Sequence, residues 1–202
     1  MARAGSSLGA KPARASLVHV RDVHWARDLA RELLEGPLPR RWAHSQGVAE
    51  QARSLRAVLG EHADLVESSA WLHDIGYSPD LATTGFHPLD GARHLRHVQE
   101  ADELLVSLVA YHSCAVVEAE ERGLLDVLKG EFPPPPDDLL DALTYSDMTT
   151  GPDGTHLPVE RRLSEILERY APEHLVHRSI SRSSPLLTAS VDSVQRRLAE
   201  VG

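Results

Sequence analysis

Apolar positions recur at steps of three and four residues along most of the chain, the period of helices that bury one face. Val23 to Leu34 reads as a first helix, ended by Gly36 and Pro37. From Arg41 to Leu59 the residues Val48, Ala52, Leu55 and Leu59 keep the same step until Gly60 closes the segment. Ala63 to His73 follows, with Leu65, Val66, Ala70 and Leu72 as its inner set and Gly76 and Pro79 as breakers. YSPDLATTGF is a loop of turn formers, and Pro88 then occupies the favoured first turn of a helix reaching about Val98. Asp102 to His112 and Val116 to Leu128 are the next helices. Four consecutive prolines at 133–136 make a stiff connector, after which Asp137 and Asp138 cap a helix from Leu139 to Met148. Val159 to Tyr170 and Val191 to Val201 complete the series. No strand-type alternation and no internal repeat is present. The pattern predicts an all-α protein, a compact helical bundle at 17–150 with a C-terminal helical extension at 151–202. Residues 1–16 lack periodicity and are expected to form a disordered tail.

Composition narrows the classes. The 202 residues carry 21 Lys and Arg against 30 Asp and Glu, a formal charge of −9. That balance argues against general nucleic-acid binding, which needs a basic surface. No stretch approaches the ~20 apolar residues of a membrane span, and the N-terminal segment has no signal-peptide core, so a cytoplasmic protein without a membrane partner is expected. Cys114 is the one cysteine, which excludes an intrachain disulfide framework and a cysteine-rich zinc site. It reads as a small core residue rather than a nucleophile. The 12 histidines are the unusual count.

Their positions give that count meaning. His44 lies on the stripe of Val48, Ala52, Leu55 and Leu59, and His73 on that of Val66, Ser69 and Ala70. His112 aligns with Leu105, Leu108 and Val109, and Asp147 with Leu140, Leu143 and Thr144. A lone histidine on an apolar face is more often a satisfied core residue than a ligand. A buried carboxylate without a cation or strong donors is costly, however, and Asp74 adds a second acid beside His73. Four helices each turning one ligand-type residue inward point to a shared cation, as in metal sites built between facing helices. Nitrogen and oxygen donors without thiolate suit iron, manganese, zinc, cobalt or magnesium.

His44, the pair His73–Asp74 in WLHDIG, and Asp147 in YSDMTT resemble the H…HD…D signature of the HD-domain phosphohydrolase superfamily, over about Arg41 to Thr150. The resemblance implies an HD-type fold and a first metal held by His44, His73, Asp74 and Asp147. His87 in GFHPLDGA and His112 in AYHS resemble the extra histidines of binuclear branches, including YqeK-like diadenosine tetraphosphate hydrolases and HD-GYP domains. By that likeness they hold a second metal, with Asp74 bridging, so that two divalent transition-metal ions (iron, manganese, zinc or cobalt) are expected. Tyr77 stands where those branches usually carry a lysine, and no GYP string is present, so cyclic-dinucleotide phosphodiesterase activity is not implied.

The expected chemistry is hydrolysis of a phosphate ester or anhydride in a small nucleotide-like molecule by a metal-activated water. Asp74 is the expected catalytic residue, as bridge and as orienter of the water. Arg41, Arg93 and Arg122, near the ligand-bearing segments, and Tyr77, in the place of the lysine, are the candidate substrate contacts. The alternative is a regulatory HD-type module that binds metal and nucleotide without turnover; a structural helical interaction protein is a third reading. Oligomeric state is not encoded in any pattern of this kind.

Overall fold

The structure is a computed structural model that describes residues 22–201; the expected tail at 1–16 lies outside them. Among the described residues every regular element is helical, with one isolated bridge between Thr150 and His156. Helix α1 (Val23–Leu34) is capped by Asp22, whose side chain accepts the Trp25 N–H at 2.9 Å. Helix α2 (Pro39–Ser54) opens on a proline and breaks at Leu55 before a short α3 (Arg56–Leu59), where the sequence pattern suggested one continuous helix. Helix α4 (Ala63–Leu72) is buried along nearly its whole length. It packs against α1 and α2, and against two later helices, α6 (Glu103–Tyr111) and α9 (Asp137–Met148). Its weak amphipathicity follows from that central place, because each of its faces meets a neighbour. Its buried carboxylate, Glu67, is held by Arg53 at 2.7 Å and Arg56 at 3.4 Å.

Helix α5 (His87–His97) packs on α6 and on the 3-10 turn Ile75–Tyr77 that ends the HDIG segment. Asp90 anchors the preceding loop by accepting the backbone N–H groups of Thr83 and Thr84, each at 3.1 Å. The single helix expected over Val116–Leu128 is two, α7 (Ala115–Glu121) and α8 (Leu125–Glu131), parted at Gly123 with φ of 69°. Helix α9 starts at Asp137 with Pro136 as its N-cap, so the two aspartates lie in its first turn rather than capping it. Helix α10 (Val159–Arg169) matches its sequence pattern. Helix α11 (Leu175–Val201) begins 16 residues earlier than Val191 and runs through Pro185. It lies along α9, α10 and α7, so the C-terminal helices form a wall beside the bundle. No helix among the described residues is long and apolar enough to cross a membrane.

Two glycines set how closely the site's elements approach. A Cβ on Gly47 of α2 would stand 2.3 Å from the Gly154 carbonyl oxygen, so only glycine lets the 150–156 loop lie on α2. A Cβ on Gly76 would stand 2.0 Å from the His87 carbonyl oxygen, so glycine there is what lets the start of α5 reach the turn after Asp74.

Candidate metal centre

Six residues that the sequence singled out converge in one place, brought there by the ends of five helical segments. His44 comes from α2, and His73 and Asp74 from the end of α4. His87 comes from the start of α5, His112 from the end of α6, and Asp147 from the last turn of α9. His87 is the least enclosed, at 12% side-chain exposure; the others are buried. Two sets of ligand atoms each lie within 4.8 Å of one another: His44, His73 and Asp147, and Asp74, His87 and His112.

The hydrogen bonds fix how three imidazoles present themselves. His44 Nδ1–H donates to the Gly151 carbonyl at 3.0 Å, His73 Nδ1–H to Ala70 at 2.7 Å, and His112 Nδ1–H to Val109 at 2.7 Å. A carbonyl only accepts, so each neutral ring turns a bare Nε2 lone pair to the centre. This is the arrangement in which an outer partner orients a metal-ligating histidine. His44 Nε2 then faces Asp147 Oδ1 at 2.9 Å, acceptor toward acceptor, and the His112 lone pair is met by His87 Nε2 at 3.1 Å. His73 Nε2 is buried with no hydrogen-bond partner. Facing lone pairs and an orphaned buried nitrogen are costly alone and are resolved by a cation. The donor set fits a borderline divalent transition metal.

Asp74 joins the two sets. Its Oδ2 lies 3.3 Å from His73 Nε2 and 3.9 Å from His44 Nε2, while its Oδ1 lies 3.4 Å from His87 Nε2. Arg41 donates to Oδ2 at 2.6 Å. Burial alone would raise the Asp74 carboxyl, but the Arg41 guanidinium outweighs it and holds it well below the usual range. Burial likewise opposes ionisation of Asp147, and the polar and cationic groups around it, Arg162 among them, overcome it. Burial drives His87 well below the ordinary imidazole value and lowers His112 with help from His73, so both are neutral, as ligation requires. Ser113 Oγ–H donates to Asp147 Oδ2. Ser113 and Cys114 both sit in the left-handed region, φ 48° and 60°, and this places the serine there. Burial pushes the Cys114 thiol up to about 11, which leaves almost no thiolate at neutral pH.

The substrate candidates divide. Arg41 and Tyr77 are at the site: the guanidinium lies 3.9 Å over the tyrosine ring, which stacks on His87 with centroids 3.9 Å apart. Arg93 is elsewhere, held by both oxygens of Glu131 across α5 and α8. Arg122 pairs with Glu118 at 2.7 Å, and only that glutamate lines the cleft over the metal cluster. Sequence reasoning passed over Ser113, Arg162 and Arg169. Arg162 carried a signal, since it falls within the apolar stripe Val159, Leu163 and Ile166 of α10 and is 5% exposed. The far wall of the cleft is Ile166, Tyr170, Val176 and Ile180, from α10, α11 and their junction.

A family model described as the HD domain matches residues 41–150. Ribonuclease Y of Fervidobacterium nodosum is 39% identical over 70 residues, 35% of this chain and 14% of that protein. Ribonuclease Y of Rubrobacter xylanophilus is 33% identical over 86 residues, 43% of this chain and 16% of that protein. Ribonuclease Y of Rhodopirellula baltica is 36% identical over 75 residues, 37% of this chain and 14% of that protein. The chain thus matches only 14–16% of the length of these relatives. No solved structure gives a significant match.

Proposed function

The chain belongs to the HD-domain family of metal-dependent hydrolases, and on that premise we propose that it is a phosphohydrolase cleaving a phosphate ester or anhydride of a small nucleotide-like substrate. The observation that carries this is the centre itself: three histidines tied at Nδ1 and open at Nε2, facing two ionised carboxylates, at the floor of a cleft edged by arginines. We assign two divalent ions, one to His44, His73 and Asp147 and one to His87 and His112, with Asp74 shared between them. Such ions, when bound, supply an acidified water and offset charge on phosphoryl oxygens.

The chain's own groups do the rest. Arg41 holds Asp74 Oδ2 on one side and packs on Tyr77 on the other, so its remaining donors lie at the edge of the cleft for a phosphoryl oxygen. Tyr77, stacked on His87, keeps that imidazole from swinging away. Asp74 and Asp147, ionised at neutral pH, accept protons or cations but donate neither. The Ribonuclease Y alignments cover 35–43% of this chain and 14–16% of those proteins, and the net charge of −9 is poorly suited to a polyanionic chain. The small-molecule reading therefore stands ahead of an RNA substrate.

The test is phosphate release by manganese-loaded protein from a panel of nucleotides and sugar phosphates, with an RNA oligonucleotide alongside. Turnover of a small phosphorylated compound, lost together with bound metal in Asp74→Ala, is the expected result. Full activity in Asp74→Ala, or cleavage of the RNA alone, overturns the proposal. So does nucleotide binding seen as thermal stabilisation with no phosphate released, which is the behaviour of a regulatory module.

A further inference from the structure

A second cavity of about 390 Å³ opens beside the metal cleft, and Arg41, Arg162 and Arg169 line both. Its other walls are Pro37 and Leu38 before α2, Pro39, Arg40 and His44 on it, and Pro152 in the loop after α9. Where the two cavities meet, the charges do not balance internally. Arg162 donates to Glu165 at 2.8 Å and Arg169 donates to the same glutamate, so two guanidinium groups share one carboxylate. Arg162 is 5% exposed, its Nε–H has no partner, and its nearest approach to Asp147 is 4.0 Å, beyond hydrogen-bond range. A buried guanidinium with an unmet donor is expensive, and an anion supplies the missing acceptors. Helix α10 lies outside the matched residues 41–150, so this cationic junction is not part of the matched domain segment.

We propose that Arg162 and Arg169 form a subsite for a second phosphoryl group of the substrate, which selects nucleoside diphosphates and longer phosphate chains over monophosphates. The subsite rests on the phosphohydrolase reading for its substrate and deepens it. The reacting phosphoryl group lies at the metal cluster against Arg41, and the next one lies at the junction. There the Arg162 Nε–H and the unshared Arg169 donors meet its oxygens. The organic portion occupies the second cavity, against the prolines and Leu38.

Calorimetric titration with adenosine 5′-monophosphate and adenosine 5′-diphosphate, at fixed saturating manganese and low temperature, reads the subsite without needing turnover. The diphosphate is expected to bind at least tenfold more tightly than the monophosphate. In Arg169→Gln and in Arg162→Lys that preference falls to about twofold or less, with metal content and melting midpoint unchanged. Arg162→Lys keeps a charge while losing the Nε donor, and Arg169→Gln, at a side chain one-third exposed, stays informative if Arg162→Lys fails to fold. Equal affinity for the two nucleotides in the wild type, or a preference that survives in both variants, overturns the subsite. Binding with that preference but without hydrolysis would remove the phosphohydrolase reading and leave the subsite standing; monophosphate hydrolysis without it would do the reverse.

Discussion

Replacing Gly76 by alanine tests whether the metal centre depends on the approach of α5 to the turn after Asp74. The new Cβ would lie 2.0 Å from the His87 carbonyl oxygen and 2.7 Å from the Gly91 nitrogen, both backbone atoms that no rotamer change can move. Ordinary contact begins at 3.4 Å, so the start of α5 must withdraw by about 1.4 Å. Metal–ligand bonds tolerate about ±0.2 Å. A shift several times larger would take His87 out of reach of the ion proposed for it with Asp74 and His112. Overpacking of this kind costs about 1–3 kcal/mol. At this chain length that lowers the melting midpoint by roughly 2–12 °C. Elemental analysis should show about one ion per chain instead of two, the retained one at His44, His73 and Asp147. Gly130→Ala in α8, where a Cβ meets nothing within 4 Å, is the control; it keeps both ions and gains about 0.5–1 kcal/mol from helix propensity. If Gly76→Ala keeps both ions and the wild-type midpoint, the glycine does not set the spacing and the geometric argument fails.

Ser113→Ala removes the hydroxyl that holds Asp147 and should weaken metal affinity about 10–100-fold, read by competition with a chelator dye; an unchanged affinity refutes the positioning role. Arg93→Ala should leave turnover intact and cost less than about 1 kcal/mol, since both partners are one-third exposed. The Arg93 hydrogen bond depresses the Glu131 pKa, so the pair's contribution is present above the ordinary glutamate range and is lost as pH falls through the lower folded value. Denaturant midpoints of wild type and Arg93→Ala should therefore converge on acidification, and a gap that persists at pH 2 contradicts the assignment. Stripping metal with a chelator should lower the melting midpoint reversibly, by the equivalent of about 2.7 kcal/mol where free metal stood at a hundred times its dissociation constant. No change on stripping would mean that the facing lone pairs are satisfied some other way.

Five of the six metal-ligand candidates were legible because each is a polar residue on an apolar stripe or beside one, where helical period turns it inward; His87, at a helix start, was nominated only by the family resemblance. What escaped has identifiable physics. Helix α11 begins 16 residues before the expected Val191, and Pro185 and the serines of SISRSSP lie inside it. In the structure Ser179, Ser183 and Ser184 each donate a hydroxyl to the carbonyl four residues back, so the serines sit within the helix rather than ending it. Gly123 parted α7 from α8 although the apolar spacing continues across it. Arg93 and Arg122 were nominated by nearness in sequence; Glu131 holds Arg93 on another surface, and Arg122 pairs with Glu118 without itself lining the cleft. Arg162 and Arg169 lie beyond the motif, and only the fold of α10 against α9 brings them to it.

The two halves of the metal centre also differ in when they can exist. His44 and Asp147 are separated by 103 residues of chain, whereas His87 and His112 are separated by 25. Closing the longer loop costs about 1 kcal/mol more in chain entropy. It also requires α2 and α9 to have docked on either side of α4. During folding the Asp74, His87 and His112 group is therefore available first, once α4, α5 and α6 have come together. The His44, His73 and Asp147 group waits for a contact across 103 residues. A cation captured early would hold the middle of the chain in register while α9 completes the bundle, and filling of the second position reports that the fold has closed.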